Sequence, residues 1–282
     1  MEKQESQFEE HGEERQGSIL ERTEIIAPEN FVTVFHETET ENLQFIDRDG
    51  LTINTGNKNI GKAEVMARRN RMIDKLRPEA LKEKGISREN NIFAYPFLEE
   101  GHGLIGADQR FVKRDEKMLR DELEILQKHK PDYLKELGIN TPEEFIKKRT
   151  DPEYLKSQYP GEVLEMKVDP QKCYVGDLEY ITQIADDIYR GLEESEAIQR
   201  QANKYWGNVI TLEDFLKWYR KPEWNDDGNS IRDAGKYKGG NPIMTGGYSL
   251  LEDAPDNLPL DIHQPEILIP ENVPQNHIKL VK

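Results

Sequence analysis

The first candidate for chemistry is a histidine and a hydroxyl near the end of a predicted strand. The run Val32–Thr38 is rich in β-branched and aromatic residues and alternates in polarity, which is typical of a buried strand. His36 and Thr38 come just before a predicted short helix over residues 41–50. Side chains on a rigid strand end, beside the free N–H groups of a helix start, can hold an anionic or hydroxylated ligand. The alternative is that His36 only satisfies a backbone group, as lone histidines usually do.

A serine and an arginine enter a second predicted strand at residues 92–95. Ser87 and Arg88 follow Gly85 in a polar turn, and proline ends the strand that comes after them. An arginine in this position can grip a phosphate or carboxylate through two parallel hydrogen bonds. The pair is equally compatible with a plain surface turn.

A glutamate opens the first of two predicted strands at the end of the chain. Glu266 precedes the apolar run at 267–269, and a proline-bounded turn separates it from the last strand at 277–281. A carboxylate at a strand end is normally exposed and without function, so the interest of Glu266 depends on what it faces. Cys173 lies in an apolar run, where a buried and unreactive thiol is the ordinary case.

The elements that must position these residues alternate between strands and helices. Within residues 61–84 an amphipathic helix is predicted, with a break at Pro78. A strand is predicted over 163–170 and one long helix over 178–205. The stretch 97–158 has the pattern of a helical insertion. The glycine-rich run at 101–106 lacks the strand–turn–helix context of a phosphate-binding loop, and it is interpreted as a loop.

Composition limits the class of protein. The 282 residues carry a formal net charge of −16, with 33% charged and 35% hydrophobic residues. This charge disfavours extended nucleic-acid binding, which needs concentrated Lys and Arg. A single cysteine excludes an intramolecular disulfide and a cysteine-based zinc site, and no metal is predicted. We find no membrane-spanning stretch and no signal-peptide core, which predicts a cytoplasmic protein without membrane contact.

The predicted organisation is an acidic tail followed by one domain. Residues 1–28 carry eight acidic and three basic residues and little apolar content, which predicts disorder up to Pro28. Residues 29–282 are predicted to form a single α+β domain, with the helical insertion at about 97–158.

The order of these pieces resembles the ADP-ribosyltransferase superfamily, in its histidine-containing bacterial and PARP-like branch. The resemblance covers roughly 31–96 and 162–281: a strand ending in His-x-Thr, a helix ending in Gly-Leu, a Ser-Arg turn before a strand, a Val-Asp-Pro strand and a final Glu-Ile-Leu-Ile-Pro strand. It implies a split mixed β-sheet that holds NAD+ as a substrate in a cleft.

The resemblance also implies roles for the candidate residues. Glu266 would be the catalytic glutamate, His36 would hydrogen-bond a ribose with support from Thr38, and Tyr95 would stack on nicotinamide. Ser87 and Arg88 would belong to the cofactor site, with Arg88 on a phosphate. Such a carboxylate stabilises the positive charge that develops on the ribose when the nicotinamide bond breaks.

Three functions follow from this resemblance. The first is an NAD+-dependent ADP-ribosyltransferase that modifies a protein or nucleic acid. The second is a catalytically inactive binding or regulatory module of the same fold. The third changes the chemistry to NAD+ hydrolysis, or to phosphotransfer on 2′-phosphorylated RNA, which normally requires a more basic surface.

Overall fold

The computed structural model describes most of the chain outside the N-terminus and several interior stretches. The described residues are 18–19, 21–53, 62–98, 110, 116–129, 131–136, 138–189, 195–221, 236–238 and 247–282. The glycine-rich run at 101–106 lies outside them.

The protein is α+β, as the sequence predicts. Its strands are β1 (Val32–Thr38), β2 (Ile92–Ala94), β3 (Glu162–Val168), β4 (Tyr174–Asp177), β5 (Ile210–Thr211), β6 (Tyr219–Arg220), β7 (Tyr248–Leu250), β8 (Asp261–Ile262), β9 (Pro265–Ile269) and β10 (Ile278–Leu280). Its α-helices are α1 (Leu43–Asp49), α2 (Lys62–Lys75), α3 (Glu79–Glu83), α4 (Glu116–His129), α5 (Pro131–Glu136), α6 (Pro142–Thr150), α7 (Pro152–Gln158), α8 (Leu178–Tyr189), α9 (Glu196–Gly207) and α10 (Leu212–Trp218).

The strands form three sheets in the described part of the chain. Their orders are β1-β3-β10, β2-β9-β4-β5 and β6-β7-β8. Every strand pair within these sheets is antiparallel, which differs from the mixed sheet that the family resemblance implies. The first two sheets meet at a bridge between Phe35 and Tyr95, whose backbone groups exchange hydrogen bonds of 2.8 and 2.9 Å.

The alternation along β9 divides the second sheet between two hydrophobic layers. Ile267 and Ile269 belong to the core shared with the first sheet, where they join Val34 and Met166. Leu268 belongs to a second cluster formed with α2, α8 and α9. Because successive strand residues point to opposite faces, Glu266 lies on the same face as Leu268, under the helices.

One helix that the sequence predicts as continuous is divided in the structure. The predicted helix over 178–205 is two helices, α8 and α9, because Ser195 caps a new helix by accepting the Ile198 N–H. The predicted break at Pro78 separates α2 from α3. Four helices, α4 to α7, lie within the stretch 97–158, and α4 to α6 enclose a small hydrophobic cluster of their own around Phe145.

Part of the predicted disordered tail packs on the domain. Ile19 is fully buried in the main core, and its N–H donates to Asp47. Arg22 donates to the backbone oxygens of Gln275 and Ile278. The isoleucine supplies apolar burial that the average composition of this segment conceals. Residues 1–17 and 20 of the predicted tail lie outside the described residues.

Candidate functional site

Arg88 and Glu266, 178 positions apart in the sequence, form an ion pair in the helix-covered layer. Arg88 Nη1 donates to Glu266 Oε1, and Nη2 donates to Oε2 at 3.2 Å. Both residues are only 2% exposed. Two of the residues singled out in the sequence therefore meet, in the two-pronged geometry that suits a guanidinium and a carboxylate.

Tyr205 is the third member of this buried group. Its hydroxyl accepts from Arg88 Nη1 at 2.7 Å and donates to Glu266 Oε1 at 3.0 Å. It comes from α9, whose Ile198, Ala202 and Tyr205 are buried against the sheet. We call Arg88, Tyr205 and Glu266 the buried triad.

The ion pair and the hydrogen bonds of the buried triad reinforce each other. Burial raises the pKa of the Tyr205 phenol well above its usual value, so the phenol keeps its proton and acts as a donor to Glu266. Burial lowers the pKa of Arg88, but attraction to the Glu266 carboxylate and the hydrogen bonds to Glu266 and Tyr205 outweigh this effect, and the pKa is raised. The guanidinium also lies against aromatic rings, 4.7 Å from the centroid of Phe93 and 5.1 Å from that of Tyr205.

The turn that carries Ser87 and Arg88 is held by an aspartate on α2. Asp74 accepts from the Ser87 hydroxyl at 2.6 Å and from the Arg88 N–H at 2.9 Å. It also accepts from the Glu89 N–H at 3.2 Å. Ser87 thus serves to shape the turn from which Arg88 reaches Glu266.

His36 lies next to the buried triad by way of Phe93. Its Nδ1 lies 2.7 Å from the Phe93 carbonyl oxygen, while the ring of the same Phe93 packs on Arg88. Because a carbonyl oxygen can only accept, Nδ1 carries the hydrogen and Nε2 of the neutral ring is an acceptor. Burial lowers the pKa of His36, which favours this neutral form.

Thr38 and Tyr95 lie outside the buried triad and its hydrogen bonds. The Thr38 hydroxyl accepts from Asn42 at 3.2 Å and so links β1 to the start of α1. Tyr95 is 5% exposed, and its ring stacks on Phe35 with centroids 6.4 Å apart. In this structure both side chains belong to the packing around β1.

Sequence reasoning missed two residues that complete the site. Tyr205 is fully buried, as large aromatic side chains on a helix often are, and its hydroxyl also donates to Glu266. Asp74 has no sequence signal beyond its place on an amphipathic helix. Only the tertiary contact between α2 and the turn at Ser87 identifies it.

A cluster of two acidic residues and a histidine lies where β4 ends and β9 begins, in the middle of the second sheet. Asp177, Glu179 and His263 each offer one ligand atom, and these atoms lie within 4.8 Å of one another. The Asp177 carboxylate, however, already accepts the backbone N–H groups of Glu179, His263 and Gln264 at 2.9–3.1 Å. These three bonds explain why the Asp177 carboxylate is buried: it caps backbone N–H groups. The cluster therefore does not indicate a metal site.

Two cavities in the described structure lie away from the buried triad. The larger, of about 400 Å³, lies between α7 and β10 and includes Arg110 and Glu162. The smaller, of about 170 Å³, lies near Cys173 and His277. In the part of the chain that the structure describes, no helix has both the length and the apolar character needed to cross a membrane.

The fold and site define an antiparallel α+β protein with a buried arginine–tyrosine–glutamate group. No protein-family model, curated protein or solved structure matches this chain.

Proposed function

We propose that this protein is an NAD+-dependent ADP-ribosyltransferase that acts on a protein or nucleic-acid acceptor. In this proposal the two sheets joined at Phe35 and Tyr95 correspond to the split sheet of that fold. Glu266 is the carboxylate that faces the reacting ribose, and Arg88 and His36 line the same site.

One observation carries the proposal. Arg88 and Glu266 belong to two sequence motifs 178 positions apart, and they lie in hydrogen-bond contact. Taking an ion pair out of water costs several kcal/mol per ion, and an apolar pair of similar volume often serves stability as well. The presence of this buried pair, together with a tyrosine that hydrogen-bonds both members, supports a role beyond packing.

The chemistry suits the geometry of these groups. A carboxylate held in one orientation by Arg88 and Tyr205 is preorganised to face positive charge on a ribose, since little reorganisation is needed when that charge develops. Neutral His36, with Nδ1–H committed to Phe93, presents Nε2 as an acceptor for a sugar hydroxyl.

Substrate access requires the buried triad to open. Both Arg88 and Glu266 are 2% exposed, and both oxygens of Glu266 accept hydrogen bonds. A ribose can reach Glu266 only if Arg88 or Tyr205 first breaks a hydrogen bond to the Glu266 carboxylate. A substrate phosphate can compensate Arg88 for that loss, because guanidinium groups bind phosphate and carboxylate in the same way.

Titration of NAD+ with a fluorescence readout tests the proposal. Trp206 packs edge-on against Tyr205 with centroids 4.9 Å apart, and it donates to the Ile73 carbonyl oxygen at 2.8 Å. The chain has three tryptophans, so Trp218→Phe with Trp224→Phe leaves Trp206 as the only one. We expect saturable changes in Trp206 emission with an apparent affinity between about 1 μM and 1 mM. No binding by calorimetry up to about 1 mM would overturn the proposal.

A second candidate is the catalytically inactive module, which the burial of Glu266 favours. A carboxylate with both oxygens engaged and almost no exposure is suited to hold α9 and β9 together without any substrate. On this account, the protein binds a macromolecular partner through another surface. A partner whose binding survives Glu266→Gln but is lost when residues 97–158 are deleted would favour the module. An NAD+ hydrolase instead would release nicotinamide at a rate that an added acceptor does not change.

A further inference from the structure

The side chain of Asn70 contacts both ends of Arg88. Asn70 Nδ2 donates to the Arg88 carbonyl oxygen at 3.1 Å, and Asn70 Oδ1 accepts from Arg88 Nε at 3.2 Å. One amide on α2 thus ties the backbone and the guanidinium of a residue 18 positions later. We propose that Asn70 is a positioning residue that fixes the plane of the Arg88 guanidinium so that both Nη atoms face Glu266.

The hydrogen-bond inventory of Arg88 explains why such a residue is needed. A guanidinium has five N–H donors in one rigid plane, and Arg88 is 2% exposed, so water cannot freely satisfy them. Nη1 donates to Tyr205 and to Glu266, and Nη2 donates to Glu266. Nε–H points the other way in the plane, and Asn70 Oδ1 is its acceptor. With this acceptor in place, any rotation of the plane breaks the Nε bond to Asn70 as well as the paired bonds to Glu266.

The position of Asn70 on α2 supports a dedicated clamp. Asn70 and Asp74 are four residues apart and therefore lie on one face of the helix. Asp74 holds the Arg88 backbone N–H, while Asn70 holds the Arg88 carbonyl oxygen and the side chain. The helix is anchored between these two polar residues by Ile73, which is fully buried in the helix-covered cluster. Two polar side chains on one helix face thus fix three groups of a single arginine.

This inference rests on the proposed function for its catalytic consequence, but not for its structural content. The matched variants are Asn70→Ala, which removes both contacts, and Asn70→Asp, which keeps an oxygen acceptor opposite Nε. Asn203→Ala on α9 is the control, since Asn203 is exposed.

The first readout is hydrogen exchange of the Arg88 Nε–H by NMR on the full chain, with the resonance assigned by its loss in Arg88→Lys. We expect exchange to accelerate at least tenfold in Asn70→Ala and to stay within about threefold of wild type in Asn70→Asp and Asn203→Ala. Unchanged exchange in a folded Asn70→Ala would overturn the proposal.

The second readout is NAD+ turnover. If wild type turns over NAD+, we expect Asn70→Ala to lower kcat about tenfold with KM changed less than twofold, and Asn70→Asp to recover part of the loss. An equal kcat in Asn70→Ala and wild type would overturn the positioning role. If wild type shows no turnover, the proposed function fails, and the Nε–H exchange still decides whether Asn70 positions Arg88.

Discussion

Gly176 and Tyr205 fit together so closely that a Cβ on Gly176 would lie 2.7 Å from ring carbon Cε2 of Tyr205 and 2.8 Å from its hydroxyl oxygen. Gly176 is on β4, directly opposite Glu266 on β9 in the antiparallel register. The missing side chain on one strand therefore makes room for the tyrosine that contacts the carboxylate on the next. A backbone position with no candidate chemistry of its own sets the geometry of the buried triad.

The first prediction is that Gly176→Ala displaces Tyr205. Contacts below 3 Å force a shift of a fully buried ring, and overpacking of this kind typically costs about 1–3 kcal/mol. The measurement is the free energy of unfolding in urea, together with Trp206 emission. Gly207→Ala is the matched control, because a Cβ there meets no atom within 4 Å. Equal stability of the two variants would contradict the packing described here.

The second prediction concerns the separate and joint removal of Arg88 and Glu266. Each of Arg88→Met and Glu266→Leu leaves one buried charge without its partner, so each alone should cost about 3–5 kcal/mol of unfolding free energy. The double variant Arg88→Met with Glu266→Leu should be markedly more stable than either single variant, because no unpaired charge remains. Strictly additive losses in a double-mutant cycle would show that the two side chains are not energetically coupled.

The third prediction is a loss of stability in mild acid that depends on His36. Burial lowers the pKa of His36 from its ordinary 6.5, so the unfolded state binds the proton more readily than the native state. The stability contributed by neutral His36 is therefore complete above about pH 6.5 and decreases as the pH falls from there towards the lower native pKa. The half-buried His277 has a lowered pKa for the same reason and contributes in the same direction.

Urea unfolding at a series of pH values between 7.5 and 5 checks this prediction, since those values span the window in which an ordinary histidine titrates. In His36→Gln the slope of unfolding free energy against pH should be smaller than in wild type. His129→Gln is the control, since His129 is exposed on α4. A wild-type slope that persists unchanged in His36→Gln would assign the acid sensitivity to other groups.

The strands β1, β2, β3, β9 and β10 could be predicted from the sequence, because alternating polarity and flanking turn residues are local patterns. The run Val32–Thr38 alternates like a strand and is one. The short helix predicted up to residue 50 ends at Gly50, whose φ of +72° is a conformation that glycine adopts readily. The break between α8 and α9 was not predicted, because the apolar spacing continues through the cap at Ser195.

Contacts between parts of the chain that are distant in sequence could not be predicted. Nothing local to Arg88 or Glu266 indicates that they pair, since one lies in a turn and the other at a strand end. The antiparallel pairing and the enclosure of Glu266 under α9 depend on how sheets and helices pack. The same holds for Asn70, Asp74 and Tyr205, whose polar groups find their partners only in the folded chain.

Release of nicotinamide from NAD+ tests the central claim most directly. The assay compares wild type with Glu266→Gln, which keeps the shape of the side chain and removes its charge. Glu165→Gln on β3 is the matched control. Glu165 forms an ion pair with Lys279 at 3.1 Å, and β3 belongs to the first sheet whereas Glu266 lies on β9 in the second. The account predicts release by wild type and Glu165→Gln, and a rate at least about 100-fold lower in a folded Glu266→Gln. Release that Glu266→Gln leaves unchanged, or no release by wild type at any NAD+ concentration tested, would contradict it.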